Sequence, residues 1–250
     1  MPLYTITDLK DKLKRYFMFS REEIKNFIII ILILAFIVSF KDWGAKEFEL
    51  LVGLRNLFNA VLIVTLAVLA HASAQRIAGL QVGIRVEHRL WWAGLLMGLV
   101  LIFVSRGNLW FLAPGGVIFH HMAVHRIGFF RYGINTLTMS SVALAGPLAN
   151  VAFAILFKIL FVLLPNNVLI EKAILVNVWF AVFNMLPIPP LDGNYVFFYS
   201  RGLYFLLFGA ILGAALLLVL KINILVAIFG SLLFGLLFGV YYAKVLEGVF

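Results

Sequence analysis

The chain has 250 residues, 64% hydrophobic and 12% charged, with a net charge of +9 and no cysteine. A soluble domain cannot hide that much apolar surface, so composition predicts an all-α, polytopic membrane protein. The apolar runs are long and continuous, unlike the short alternating segments of a transmembrane barrel. Disulfides and thiolate metal sites are excluded. The basic residues flank hydrophobic runs instead of forming one polar domain, which argues against nucleic-acid binding and makes them topology signals.

At the N-terminus, Leu3, Ile6, Leu9, Leu13 and Phe17 recur at helical spacing, with Lys10, Lys12, Lys14 and Arg15 between them. The pattern predicts that residues 1–23 form a basic amphipathic segment on an anionic membrane surface; the alternative is a loosely held basic tail. The first apolar run, Ile24 to Phe40, follows this charged segment and lacks a small-x-small cleavage site, so it reads as a retained anchor. Residues 24–250 show no internal repeat and read as a single membrane domain.

Long apolar segments fall at about 24–40, 51–76, 90–105, 141–164, 170–187 and 202–243, the last long enough for two helices turning at Lys221. They predict six to seven transmembrane helices. The segment LWFLAPGGVIFHH (109–121) is apolar, but Pro114-Gly115-Gly116 would break a helix. It reads as a re-entrant or short extended segment, tolerated at membrane depth where protein or a water-filled cavity covers it. Lys10, Lys12, Lys14, Arg15, Arg21 and Lys25 predict a cytoplasmic N-terminus, and Arg76, Arg85 and Arg89 return the second span to that side. His71 then lies near the cytoplasmic end of the second span.

Three polar signatures interrupt the apolar runs: HASAQ (71–75), ALAGPLAN (143–150) and FNMLPIPPLDG (183–193). Asp192, an ionisable residue at the end of a span, is a functional candidate by default. Pro187, Pro189 and Pro190 end the helix and Gly193 lets the chain turn, so the carboxylate can point back into the bundle; the alternative is a helix cap near the headgroups. Asn150 and Asn184 suit either a hydrogen bond between helices or the lining of a cavity. Gly146 and Pro147 suit a close helix crossing or kink.

In this order, over roughly residues 50–200, the three signatures resemble the site-2 protease family of intramembrane zinc metalloproteases. The resemblance implies that His71 and Asp192 are zinc ligands and that Asn150, Asn184, Gly146 and Pro147 belong to a substrate-binding cavity. It also matches APGGV to the extended stretch of some prokaryotic members, and a prokaryotic cell membrane is the expected location. HExxH works because residues four apart share a helix face: two imidazoles bind zinc and the glutamate activates its water. Here Ala72 stands at the general-base position and Gln75 at the second-histidine position, so no catalytic residue is intact.

His120, His121 and His125 are the candidate substitute ligands, the last two at i, i+4 spacing if helical. Zinc is expected only if a metal site survives. The leading expectation is a catalytically degenerate homologue, lodged in the lipid bilayer, that binds or regulates transmembrane-helix clients or an active protease relative. The alternatives are a working metalloprotease using His71, Asp192 and one of those three histidines, and a membrane transporter. Lys158, the one charged residue deep in a span, gives the transporter little support and can snorkel from its helix.

Overall fold

A computed structural model describes residues 6–44, 48–121, 135–220, 222–246 and 248. His125 and Lys221 lie outside the described residues. The chain runs α1 (Ile6–Tyr16), α2 (Arg21–Ser39), α3 (Leu50–Gln81), β1 (Ile84–Leu90), α4 (Trp92–Val104), β2 (Gly115–His121), α5 (Thr136–Leu163), α6 (Val168–Asn184), α7 (Asp192–Tyr199), α8 (Arg201–Val219) and α9 (Ile224–Tyr241). Polar residues start several of these helices. Ser20 and Glu23 form a capping box at α2, and Asn135, Asn167, Ser200 and Asn223 accept backbone N–H groups at α5, α6, α8 and α9.

Among the described residues, four helices, α3, α5, α8 and α9, are long and apolar enough to cross a membrane, which marks a membrane protein. The other apolar segments miss that standard for particular reasons. The helix α2 carries Arg21, Glu22, Glu23 and Lys25 in its first turns, while α4 and α6 have only 13 and 17 residues. The 202–243 segment is indeed two helices, broken between Val219 and Ile224.

The all-α expectation needs one correction. Strands β1 and β2 pair antiparallel, from Ile84 opposite His121 to Leu90 opposite Gly115. The extended reading of 109–121 holds for β2, but its partner IRVEHRL enters the sequence reading only through Arg85 and Arg89, as topology signals. Its apolar and polar residues alternate, which is the period of a half-buried strand. Val86, His88 and Val117 face inward, whereas Arg85, Arg89 and His120 face out.

Helix α6 is the axis of the bundle. Ala173, Val176 and Phe180 pack with α2, α3 and α4, while Ile174, Val178 and Ala181 pack with α5, α8 and α9. A helix apolar on every side belongs in the interior, and this one separates two clusters of the core. The Pro-rich loop after α6, which holds a cis Pro189–Pro190 peptide, presses against the strands. A Cβ at Gly116 would fall 2.1 Å from the Pro190 carbonyl oxygen, so only glycine permits that approach.

A buried histidine–aspartate centre

Positions 71 and 75 lie one helical turn apart on the inward face of α3, and α7 begins at Asp192 directly against them. His71 Nε2 is 2.9 Å from Asp192 Oδ2, and Gln75 Nε2 donates to Asp192 Oδ1 at 2.8 Å. All three side chains are buried. The structure brings His71 and Asp192 together, with residue 75 on the same carboxylate.

The amide orientations follow from the partners. Asn150 Nδ2 reaches two acceptors, Ala67 O at 3.0 Å and Asn177 Oδ1 at 3.1 Å, so its Oδ1 must accept from His71 Nδ1, 2.7 Å away. With Nδ1–H committed, His71 Nε2 can bond Asp192 only through one proton lying between them. Gln75 Nε2 likewise reaches Ala143 O at 3.0 Å as well as Asp192, so Gln75 Oε1 accepts from His88 Nε2 at 3.0 Å.

Two residues expected to serve helix packing shape this centre. Pro147 lies inside α5 and has no N–H, which deprives the Ala143 carbonyl of its helical donor. Gln75 supplies that bond from α3 instead. A Cβ at Gly146 would fall 2.4 Å from His71 Nε2, so the glycine lets α5 approach the imidazole. The His71 ring also meets Phe180 edge-on at 5.2 Å.

The polar chain continues outward from His88. Glu23 Oε1 accepts from the His88 backbone N–H at 3.1 Å and from Arg76 Nη2 at 2.5 Å. Arg76 further donates to Val86 O, Phe17 O and Met18 O, and its guanidinium stacks over Phe19 at 4.4 Å. Burial pushes His88 below the ordinary imidazole value; Glu23 Oε1, 3.4 Å from the ring Nδ1, opposes this, and the nearby His71 and Arg76 reinforce it.

The remaining candidates fall into two groups. Asn184 donates to Phe180 O in its own helix at 2.8 Å and approaches Leu112 O at 3.5 Å, beside the cavity that His71, Ala72, Gln75, His88 and Asp192 share. Phe27, Ile30, Val68 and Phe180 give that cavity apolar walls, and Gly115 and Gly116 also line it. His120 and His121 are instead at the exposed end of β2, outside the cavity lining, with His120 3.3 Å from Glu87. His121 ends strand β2, and its expected partner His125 lies outside the described residues. Sequence reasoning missed His88, Glu23 and Asn177.

A zinc site of hydrolytic type requires three protein ligands and an open position. Two ligand types meet here, but the third place holds an amide whose nitrogen donates to the carboxylate. Two ligands of one tetrahedral zinc would stand about 3.3 Å apart. The 2.9 Å between His71 Nε2 and Asp192 Oδ2 is that of a direct hydrogen bond. Among the described residues, no three His, Cys, Asp or Glu side chains converge as a metal-binding group. The described residues at this centre do not fit zinc.

Fold and centre together define a helical membrane protein with a buried His–Asp pair at the junction of its helices. The chain belongs to the same family as a curated protein of Methanocaldococcus jannaschii named "Putative zinc metalloprotease", with which it is 32% identical over 184 residues, 72% of this chain and 85% of that protein. No family model matches the sequence. No solved structure matches it either.

Proposed function

We propose that this chain is a site-2-protease-like membrane protein that has lost its hydrolytic centre and retains a cleft for a client's transmembrane segment. The observation that carries this reading is the state of the HASAQ turn. Ala72 offers the cavity no proton acceptor, and the Gln75 amide bonds Asp192 where a second imidazole would bind metal. The apolar cavity beside Ala72, bounded by Phe27, Val68 and Phe180, has a volume of about 30 Å³, so in this reading a client segment enters by parting α2 from α3. In this reading α2, α4 and α6 join the four longer helices in crossing the bilayer, the N-terminus is cytoplasmic, and α1 lies on the membrane surface.

The test uses the full chain in proteoliposomes with a membrane-embedded reporter segment. A photo-crosslinker at Val68 is expected to capture the segment, with no cleavage product. Restoring Ala72→Glu and Gln75→His together is expected to bring chelator-sensitive cleavage. Chelator-sensitive cleavage by the unaltered chain, or no capture at Val68, would overturn the reading.

A further inference from the structure

We infer that Gln75 and His88 together replace the missing metal ligand: an amide–imidazole pair from the chain, and no divalent cation, holds Asp192 in register with His71. The inference rests on the proposed reading of residues 71–75 as a remodelled metal-binding stretch, and it does not depend on client binding.

The amide suits this position for a specific reason. Its nitrogen satisfies Asp192 Oδ1 and Ala143 O, while its oxygen takes the proton of His88 Nε2. A leucine would leave all three partners unpaired in a buried setting, and a glutamate would face Asp192 with like charge. An imidazole on the same helix face as His71 would complete the three protein ligands a zinc requires.

His88 is a positioning residue, because it acts on Asp192 only through Gln75. It is itself held on two sides: β1 fixes its backbone, and Glu23 Oε1 accepts its N–H. Arg76 and the Ser20 backbone N–H in turn fix the two oxygens of Glu23. A continuous set of buried bonds therefore joins α2, α3, β1 and α7 without a metal ion. Apart from Arg76 Nε, the polar atoms of this set are paired, so removing one more partner is costly, and that makes the inference testable.

The experiment is metal analysis and thermal unfolding of the purified full chain, with and without a chelator. The wild type is expected to carry below about 0.1 zinc per chain, and its melting temperature should not respond to the chelator. Gln75→His is expected to bind about one zinc per chain, to show a tetrahedral cobalt(II) spectrum, and to lose melting temperature when chelated. His88→Gln, which keeps a donor for Gln75, should melt closer to the wild type than His88→Leu.

One tightly bound zinc in the wild type, released by Asp192→Ala, overturns the inference. A wild-type melt lowered by the chelator overturns it too, as does a folded Gln75→His that binds no zinc. If Gln75→His does not fold, the wild-type metal content and chelator response decide the matter alone. Capture at Val68 is scored separately, so failure here and failure of client binding remain distinguishable.

Discussion

Gln75 and Asp192, 117 positions apart in sequence, are joined by a 2.8 Å hydrogen bond in the interior of the bundle. The same carboxylate faces His71, so one side chain satisfies two partners from α3. Asp192→Ala would strand both, and removing one member of a buried charged network costs about 3–5 kcal/mol. Asp192→Asn keeps the shape and part of the bonding, so its loss is expected to be smaller. Thermal unfolding in detergent, followed by tryptophan fluorescence, compares the two; equal melting temperatures for Asp192→Ala and the wild type would contradict the geometry.

Gly146→Ala tests the approach of α5 to α3. The added methyl would lie 2.4 Å from His71 Nε2, well inside contact distance, and His71 is pinned by Asn150 and Phe180. Overpacking of this kind is expected to cost about 1–3 kcal/mol. Gly202→Ala, where a Cβ meets nothing within 4 Å, is the matched control and should leave the melting temperature nearly unchanged.

Arg76→Lys probes the other end of the network. The guanidinium serves four carbonyl or carboxylate acceptors at once, from Phe17, Met18, Glu23 and Val86. An ammonium on a flexible stem has three donors and no fork, so the substitution is not conservative here. A loss of about 2–4 kcal/mol is expected from the buried groups left unpaired. Limited proteolysis should also open the segment before α2, because Arg76 holds the carbonyls of Phe17 and Met18.

His88 predicts a pH dependence. Burial holds its pKa below the ordinary 6.5, so over the acid range the unfolded chain binds a proton that the folded chain resists. The stability contributed by neutral His88 is complete above about 6.5 and is lost as the pH falls below it. Glu23, Arg76, Gln75 and His71 surround the imidazole, and of the nearby charges Glu23 alone favours its protonation. Melting temperature is therefore expected to drop between pH 7 and pH 5, with a shallower drop for His88→Gln.

The sequence made one half of this centre legible and hid the other. Asp192 stood out because Pro187, Pro189, Pro190 and Gly193 stop a span beside it, and His71 because it interrupts an apolar run. His88 gave no such contrast, since it lies among Arg85, Glu87 and Arg89 and reads as one more polar residue of a basic stretch. The period of two, with Ile84, Val86, His88 and Leu90 on one side, was the available signal. Glu23 was hidden differently. It looked like charge preceding a span, although Ser20 and Glu23 spell a capping box and α2 starts at Arg21. Pro147 was assigned to packing, and nothing in one dimension shows that the carbonyl it frees, on Ala143, faces Gln75.

The spacing of these bonds along the chain also fixes an order of assembly. Arg76 meets Glu23 across 53 residues, and His88 meets Gln75 across 13, so that half of the network is complete once β1 and its partner β2 have been made. His71 and Gln75 must then wait for Asp192, 121 and 117 residues further on. At ordinary synthesis rates that interval is on the order of ten seconds. Through it, the Gln75 amide already has His88 as a partner, whereas His71 depends on helices still to come. The docking of α7 is therefore a late, long-range step, and it closes a centre whose first half stands ready.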